Sequence, residues 1–310
     1  MDAGAGTGYL THLVALQNPG AQVYAIDSDA SRTVGSKDRA KRMLASSAHR
    51  YPPSILEGAV RSHAVPASPV QHSTGLVDVS TIRRCAGDRA ILTGLHCCGD
   101  LGGRTMIEAF EQCESVKALC VVGCCYQRIY VGGDEAGFPL SSSIRTALDT
   151  SSCALNTRSL STACFSFSSF PDRAAIRSSL HGHTNRALLE HLLAAHVPLR
   201  VGSVPAHAHV SFESYAHAAA KKLGLLTEEL GQRITAMENM RRGSEGRIAF
   251  CVAVRSLMGS VVEALVIADR VARIREIPGV ERVIARNLFD AALSPRNVVI
   301  IGEKAVGKKT

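Results

Sequence analysis

Residues 2–8 read DAGAGTG and place glycine at positions 4, 6 and 8. A glycine at every second residue lets the backbone pass flat beneath a ligand with no Cβ in the way. The spacing is one residue short of the dinucleotide fingerprint G-x-G-x-x-G, because Tyr9 stands at the third position, and the Gly-Lys-Ser/Thr of a P-loop is absent. Such a turn suits a nucleoside carrying an amino-acid tail better than a pyrophosphate. Asp27 ends the next apolar run, where a carboxylate can accept hydrogen bonds from both ribose hydroxyls. S-adenosylmethionine fits both features, with Asp2, Gly4, Gly6, Gly8 and Asp27 as the cofactor-binding set. The plainer reading is an ordinary turn in which Asp27 caps the following helix, a role Asp29 could equally take.

A second group of reactive side chains lies at the ends of two later apolar runs: His96, Cys97 and Cys98 after one, Cys124, Cys125 and Tyr126 after the other. In open α/β sheets the ligand lies beyond the carboxyl ends of the strands, so these groups should meet beside the cofactor. The candidate catalytic residues are His96, Cys98, Cys125 and Tyr126. His96 can work as a base or orienting donor near neutral pH, or be a core histidine bonded to backbone. Tyr126 can stack on a flat target group or close the pocket wall. Asp100 is expected to cap a helix starting at Leu101. Structural zinc usually draws on C-x-x-C hooks, whereas adjacent cysteines on extended chain diverge, so no metal is expected. Small buried thiols filling crowded strand ends account for many of the ten cysteines.

These residues need a scaffold of buried parallel strands. Tyr9–Leu16 has helical periodicity, Val23–Ile26 reads as a short strand, a polar helix follows from about Ser31 to Ala45, and a weak strand lies near Val70–Thr74. Ala90–His96 and Val116–Gly123 are apolar strands flanking a helix at Leu101–Glu111, a strand–helix–strand unit of a parallel sheet. From Ser141 to Glu245 helices dominate, clearest at Ala187–Ala195, Phe212–Leu223 and Thr227–Met240. A long helix, Ile248–Arg275, then precedes two runs, Val280–Asn287 and Asn297–Gly302, that form an antiparallel hairpin at the sheet edge. The organisation expected is a core segment over 1–140, a helical insertion over 141–245 and the rest of the core over 246–310.

The 310 residues carry a net charge of +8 with no dense basic run, which tolerates a phosphate-rich partner and gives no sign of DNA binding. No run reaches the ~18 uncharged apolar residues of a membrane span, since Glu263 interrupts the closest, Met258–Ala268, so no membrane partner is expected. With no signal peptide expected at the start, the cysteines are read as reduced thiols of a cytoplasmic or nuclear protein.

DAGAGTGYL, GLHCCGDL, GCCY followed by GFPLS, and LSPRNVVII, in that order, resemble the methyltransferase-like twenty-five family, also called ribosomal RNA adenine dimethylase domain-containing proteins. The resemblance implies a class I S-adenosylmethionine-dependent methyltransferase: an α/β Rossmann-like fold with a mostly parallel seven-stranded sheet and a C-terminal antiparallel hairpin. GLHCCGDL and GCCY also look like motifs of tRNA acceptor-stem 2′-O-methyltransferases, which favours RNA as acceptor. A ribosomal or other protein side chain is the rival substrate, and a catalytically degenerate binding or scaffold protein is the rival without chemistry. The family usually has Lys where Thr7 stands and Thr where Cys97 stands, and its members carry a sizeable segment before the glycine motif. In this fold the strand leading into that motif is central, and only Met1 precedes Asp2. The expectation is a missing or truncated first strand in an N-terminally shortened chain, leaving its neighbours to pair directly or to flank a slot.

Overall fold

The computed structural model describes residues 1–18, 20–45, 70–194, 201 and 203–305. They form two compact units, Met1–Cys164 with Gly259–Thr310, and Phe165–Met258. The first unit therefore keeps residues 141–164, which the sequence reading assigned to the helical insertion, and the second runs on past 245.

The first unit is built on a seven-stranded sheet in the order β3-β2-β1-β4-β5-β7-β6, with strands β1 (Asp2–Ala3), β2 (Val23–Asp27), β3 (Val70–Thr74), β4 (Ala90–Cys98), β5 (Val116–Cys124), β6 (Val280–Asn287) and β7 (Val298–Lys304). The first five are parallel, and β7 runs antiparallel to both β5 and β6. This is the class I methyltransferase arrangement. Helices α1 (Tyr9–Gln17), α2 (Ala30–Ala45), α3 (Val79–Cys85) and α4 (Arg104–Gln112) connect the parallel strands, and α5 (Ser142–Thr150) and α6 (Thr157–Thr162) follow β5. The core forms where Met106, Ile107 and Phe110 of α4 meet Leu92, Leu119, Val121 and Ile300 of the sheet, all buried. β6, at the open edge, is mostly exposed and carries Arg282 and Arg286, charges that discourage edge-to-edge pairing.

β1 is the shortest strand. Asp2 and Ala3 pair with Ala25 and Ile26 of β2, and Asp2 also with Thr93 of β4. The Thr93 N–H donates to the Met1 carbonyl and the terminal ammonium donates to Ile91 O. Below Met1 the neighbours do not close up. A cleft of about 690 Å³ lies there, lined by Val23, Tyr24, Ala90 and Ile91 at the amino ends of the strands, opposite the glycine turn.

The second unit packs α7 (Arg173–Leu192) and α8 (Phe212–Leu223) with the first half of α9 (Glu228–Arg275), burying Leu189, Phe212, Ala216, Ala220 and Ile234. α9 is continuous over 48 residues, where the sequence suggested two helices parted near residues 241–247. Gly243 and Gly246 weaken the helix by only about 1 kcal/mol each. Arg241 spans the weak turn by pairing with Glu238 at 2.8 Å and Glu245 at 2.6 Å. By length and composition Gly243–Arg275 could cross a membrane. Its C-terminal part buries Val262, Val266, Asp269, Arg270 and Ile274 inside the first unit.

Candidate functional site

The glycine turn takes its shape from three left-handed residues, Gly4 (φ 70°), Gly6 (φ 56°) and Gly8 (φ 79°). Each is a conformation that a side chain resists. Two backbone bonds, from the N–H groups of Gly4 (2.8 Å) and Ala5 (3.1 Å) to Ile26 O, tie the turn to β2. Asp27 completes it. One carboxylate oxygen accepts from the Gly6 N–H at 2.8 Å and the other from the Asp29 N–H at 2.9 Å. Each oxygen keeps a second lone-pair direction, the pair of acceptors that vicinal hydroxyls need. Asp29 has the other role considered for it: it bonds the Ser31 N–H at 2.9 Å and the Ser31 hydroxyl at 2.6 Å at the start of α2.

Asp2 is buried beneath the turn and accepts from the Thr11 hydroxyl at 2.6 Å. Burial pushes its carboxyl up to about 6, against the opposing pull of the Thr11 bond. The sequence reading missed what supports the turn from behind. His12 Nε2 lies 3.0 Å from Ser36 O and 3.1 Å from its Oγ, and His72 Nε2 lies 3.0 Å from that same Oγ. Burial lowers the pKa of both imidazoles. A Cβ on Gly8 would meet Ser36 Oγ at 2.1 Å, whereas a Cβ on Gly6 would meet nothing within 4 Å. The turn is thus packed on one side and open on the other.

At the ends of β4 and β5 the chain departs from regular strand. The β4–β5 register shifts between Gly94 and Cys97, and inside that irregularity His96 adopts φ 59° with its side chain exposed. Positive φ in non-glycine residues is uncommon and concentrates at functional sites. Cys97 turns inward, 3.5 Å from Met106 Sδ, and burial pushes its thiol up to about 12. Cys98 points the other way and its sulfur lies 3.3 Å from that of Cys124. Cys125 leaves the strand at φ 49°, ψ 51°. That turn overrides the divergence expected of adjacent cysteines, and the sulfurs of Cys98, Cys124 and Cys125 all lie within 4.8 Å of one another.

Tyr126 packs into a core cluster of the first unit with Ile129, Phe138 and Val266. It is buried, its hydroxyl donates to Glu263 at 3.2 Å, and the guanidinium groups of Arg270 and Arg296 lie 5.4 and 5.5 Å from its ring. Arg296 also pairs with Glu263. Asp100 caps no helix. It sits within the 3-10 turn Gly99–Gly102 and accepts from the Tyr130 N–H, while Gly103 precedes α4 without a side-chain cap. Asp269 holds the start of α5 through the N–H groups of Leu140 and Ser141 and the Ser141 hydroxyl. Residues of GCCY, GFPLS and LSPRN, far apart in sequence, therefore meet Glu263, Asp269 and Arg270 of α9, residues that the sequence reading did not assign to the site.

Residues 1–131 match the family described as "Methyltransferase domain". Among curated proteins, the chain is 27% identical over 233 residues to "Probable methyltransferase-like protein 25" of Mus musculus, covering 69% of this chain and 37% of that protein. The Homo sapiens protein of the same name is 25% identical over 232 residues, with the same coverage. The chain thus spans a little over a third of the length of the curated relatives it matches. No solved structure is significantly similar to it. The sheet order is that of the class I methyltransferase fold, and over residues 1–131 the chain is similar to a methyltransferase domain.

Proposed function

We propose that this chain methylates RNA with S-adenosylmethionine, in the cytoplasm or nucleus. The observation that carries the cofactor reading is the Asp27 carboxylate, anchored by Gly6 and Asp29 with an acceptor direction left on each oxygen, beside a glycine turn whose face at Gly6 is open. The residues fit the cofactor. Asp27 would hold the ribose hydroxyls, and Gly4, Gly6 and Gly8 would leave room for the methionine moiety. When bound, the cofactor supplies an electrophilic methyl group on a sulfonium. The chain's own work is then largely positioning, because in-line displacement rewards alignment of the acceptor atom more than proton transfer. Exposed at the β4 irregularity, His96 can accept a proton from an acceptor that must lose one early.

RNA is favoured by the net charge of +8 and by the likeness of GLHCCGDL and GCCY to tRNA methyltransferase motifs. The test is transfer of radiolabelled methyl from S-adenosylmethionine to total RNA and, in parallel, to total protein. Nuclease-sensitive label is the expected result. Label in protein alone, or none in RNA, overturns the RNA reading.

A further inference from the structure

The ends of β4 and β5 hold three thiols that the methyl-transfer reading leaves without a task. The registers pair Cys98 directly with Cys124, and the left-handed turn at Cys125 brings a third sulfur to the same side, while Cys97 points into the core. In tetrahedral zinc sites the metal–sulfur distance is about 2.3 Å, which sets the sulfurs about 3.8 Å apart. Here the three sulfurs lie within 4.8 Å of one another, and those of Cys98 and Cys124 are 3.3 Å apart, so small side-chain rotations satisfy the geometry. We propose that Cys98, Cys124 and Cys125 form a three-thiolate site for one zinc ion, with a fourth coordination position open.

Burial, above all, pushes the Cys98 and Cys124 thiols upward, so these two keep their protons near neutral pH when no cation is bound. Zinc binding exchanges those protons for the metal: each thiol that binds releases its proton to solvent, and no electron is transferred. Three thiolates around Zn²⁺ leave a net charge of −1. The Arg128 guanidinium, whose charge acts on Cys98, partly offsets it. Cys124 is buried, whereas Cys98 and Cys125 are half-buried, so the open position faces the accessible side of the cluster. Zinc sites with three protein ligands and one exchangeable position are of the catalytic or ligand-binding type rather than the closed structural type. The inference rests on the sulfurs alone and stands whether or not the chain transfers methyl groups.

The test is titration of the reduced chain with Zn²⁺ against a chromophoric chelator, and with Co²⁺ as spectroscopic probe. One equivalent should bind, with thiolate-to-cobalt charge transfer in the spectrum. The double variant Cys98→Ser/Cys125→Ser should lose at least about a hundredfold in affinity, while Cys153→Ser/Cys251→Ser, at exposed cysteines elsewhere, should match the parent. Equal affinity of the parent and the Cys98/Cys125 variant, or a cobalt spectrum without thiolate bands, overturns the site. Should the double variant fail to fold, alkylation of the parent decides. Zn²⁺ should protect Cys98 and Cys125 but not Cys153 or Cys251, and unchanged labelling of Cys98 and Cys125 overturns the proposal.

Discussion

Two ends of strands, a few residues each, hold the candidate functional residues of this molecule, and they are built by opposite means. At β1 and β2 the backbone bends only where glycine permits it, and one carboxylate, Asp27, is held by backbone N–H groups. At β4 and β5 the backbone bends at His96 and Cys125, residues that resist such conformations, and the arrangement is held by packing around Tyr126, Arg270 and Arg296. In the first region the shape follows from residue type. In the second it is imposed by the rest of the fold.

The strongest way to break this contrast is at Gly8. Gly8→Ala combines a strained φ of 79° with a Cβ at 2.1 Å from Ser36 Oγ and 2.9 Å from His12 Nε2. Strain and overpacking together should cost about 2–5 kcal/mol, read by urea denaturation. Gly6→Ala separates the two contributions. Its φ of 56° is equally strained but its Cβ meets nothing, so stability should fall by only about 1 kcal/mol, while cofactor affinity falls if the ligand lies over Gly6. Equal stability loss in both variants would mean that the turn is not packed from behind as described.

Next in size is Asp27. Asp27→Ala removes the acceptors for the Gly6 and Asp29 N–H groups together with those offered to the ribose. It should weaken S-adenosylmethionine binding by about 2–4 kcal/mol in calorimetric titration. Asp29→Ala removes a helix cap and an exposed pairing with Arg32, and should leave affinity within about threefold. Similar losses in the two variants would remove Asp27 from the cofactor site.

Asp2 gives a pH-dependent effect of about 3 kcal/mol. Its carboxyl, raised from 3.8 to about 6, holds its proton more tightly folded than unfolded. Its contribution therefore favours the fold most below about pH 4 and is lost as pH rises through about 6. Asp2→Asn keeps an acceptor for the Thr11 hydroxyl and removes the burial of charge. The variant should be the more stable chain near pH 7.5 by about 3 kcal/mol, and the two should converge below about pH 4. His12 and His72, whose lowered pKa values act in the opposite sense, are present in both chains and drop out of the difference. A gap independent of pH would show that Asp2 is not buried as a charge.

How much of this was legible in sequence differs between the regions for the same reason that they are built differently. Glycine spacing and the Asp ending β2 marked the turn and the carboxylate tied to it, because left-handed φ and backbone donors are local properties. Strand limits followed from apolar runs: Val70–Thr74 matches to the residue, and β4 and β5 run slightly past the ends expected. Direction at the cysteine end was not legible. Alternation along a regular strand predicts that Cys124 and Cys125 diverge, and only the left-handed turn, imposed by tertiary packing, reverses it. The interior partners of Tyr126 were not legible because they lie far away in sequence. The signal was present as charge inside an apolar helix: Glu263 and Arg270 are seven residues apart on one face of α9, and Asp269 is adjacent. Charges in such a stretch need buried partners, and the motifs GFPLS and LSPRN supply them.

The smallest effect tests the interior role of Tyr126. Tyr126→Phe retains the ring between β5 and the two guanidinium groups and removes one hydrogen bond, from its hydroxyl to Glu263 at 3.2 Å. Glu263 keeps its pairing with Arg296, so no carboxylate is left unpaired in the interior. A single neutral donor to a charged acceptor that retains another partner contributes about 1 kcal/mol. The variant should therefore melt slightly lower while its cofactor affinity and its turnover, per folded molecule, stay within about twofold of the parent. The outcome that would return Tyr126 to the acceptor side is the reverse pattern: turnover reduced about tenfold or more with melting unchanged. A hydroxyl enclosed by Glu263 and two arginines can be missed by the fold but not by a substrate it never touches.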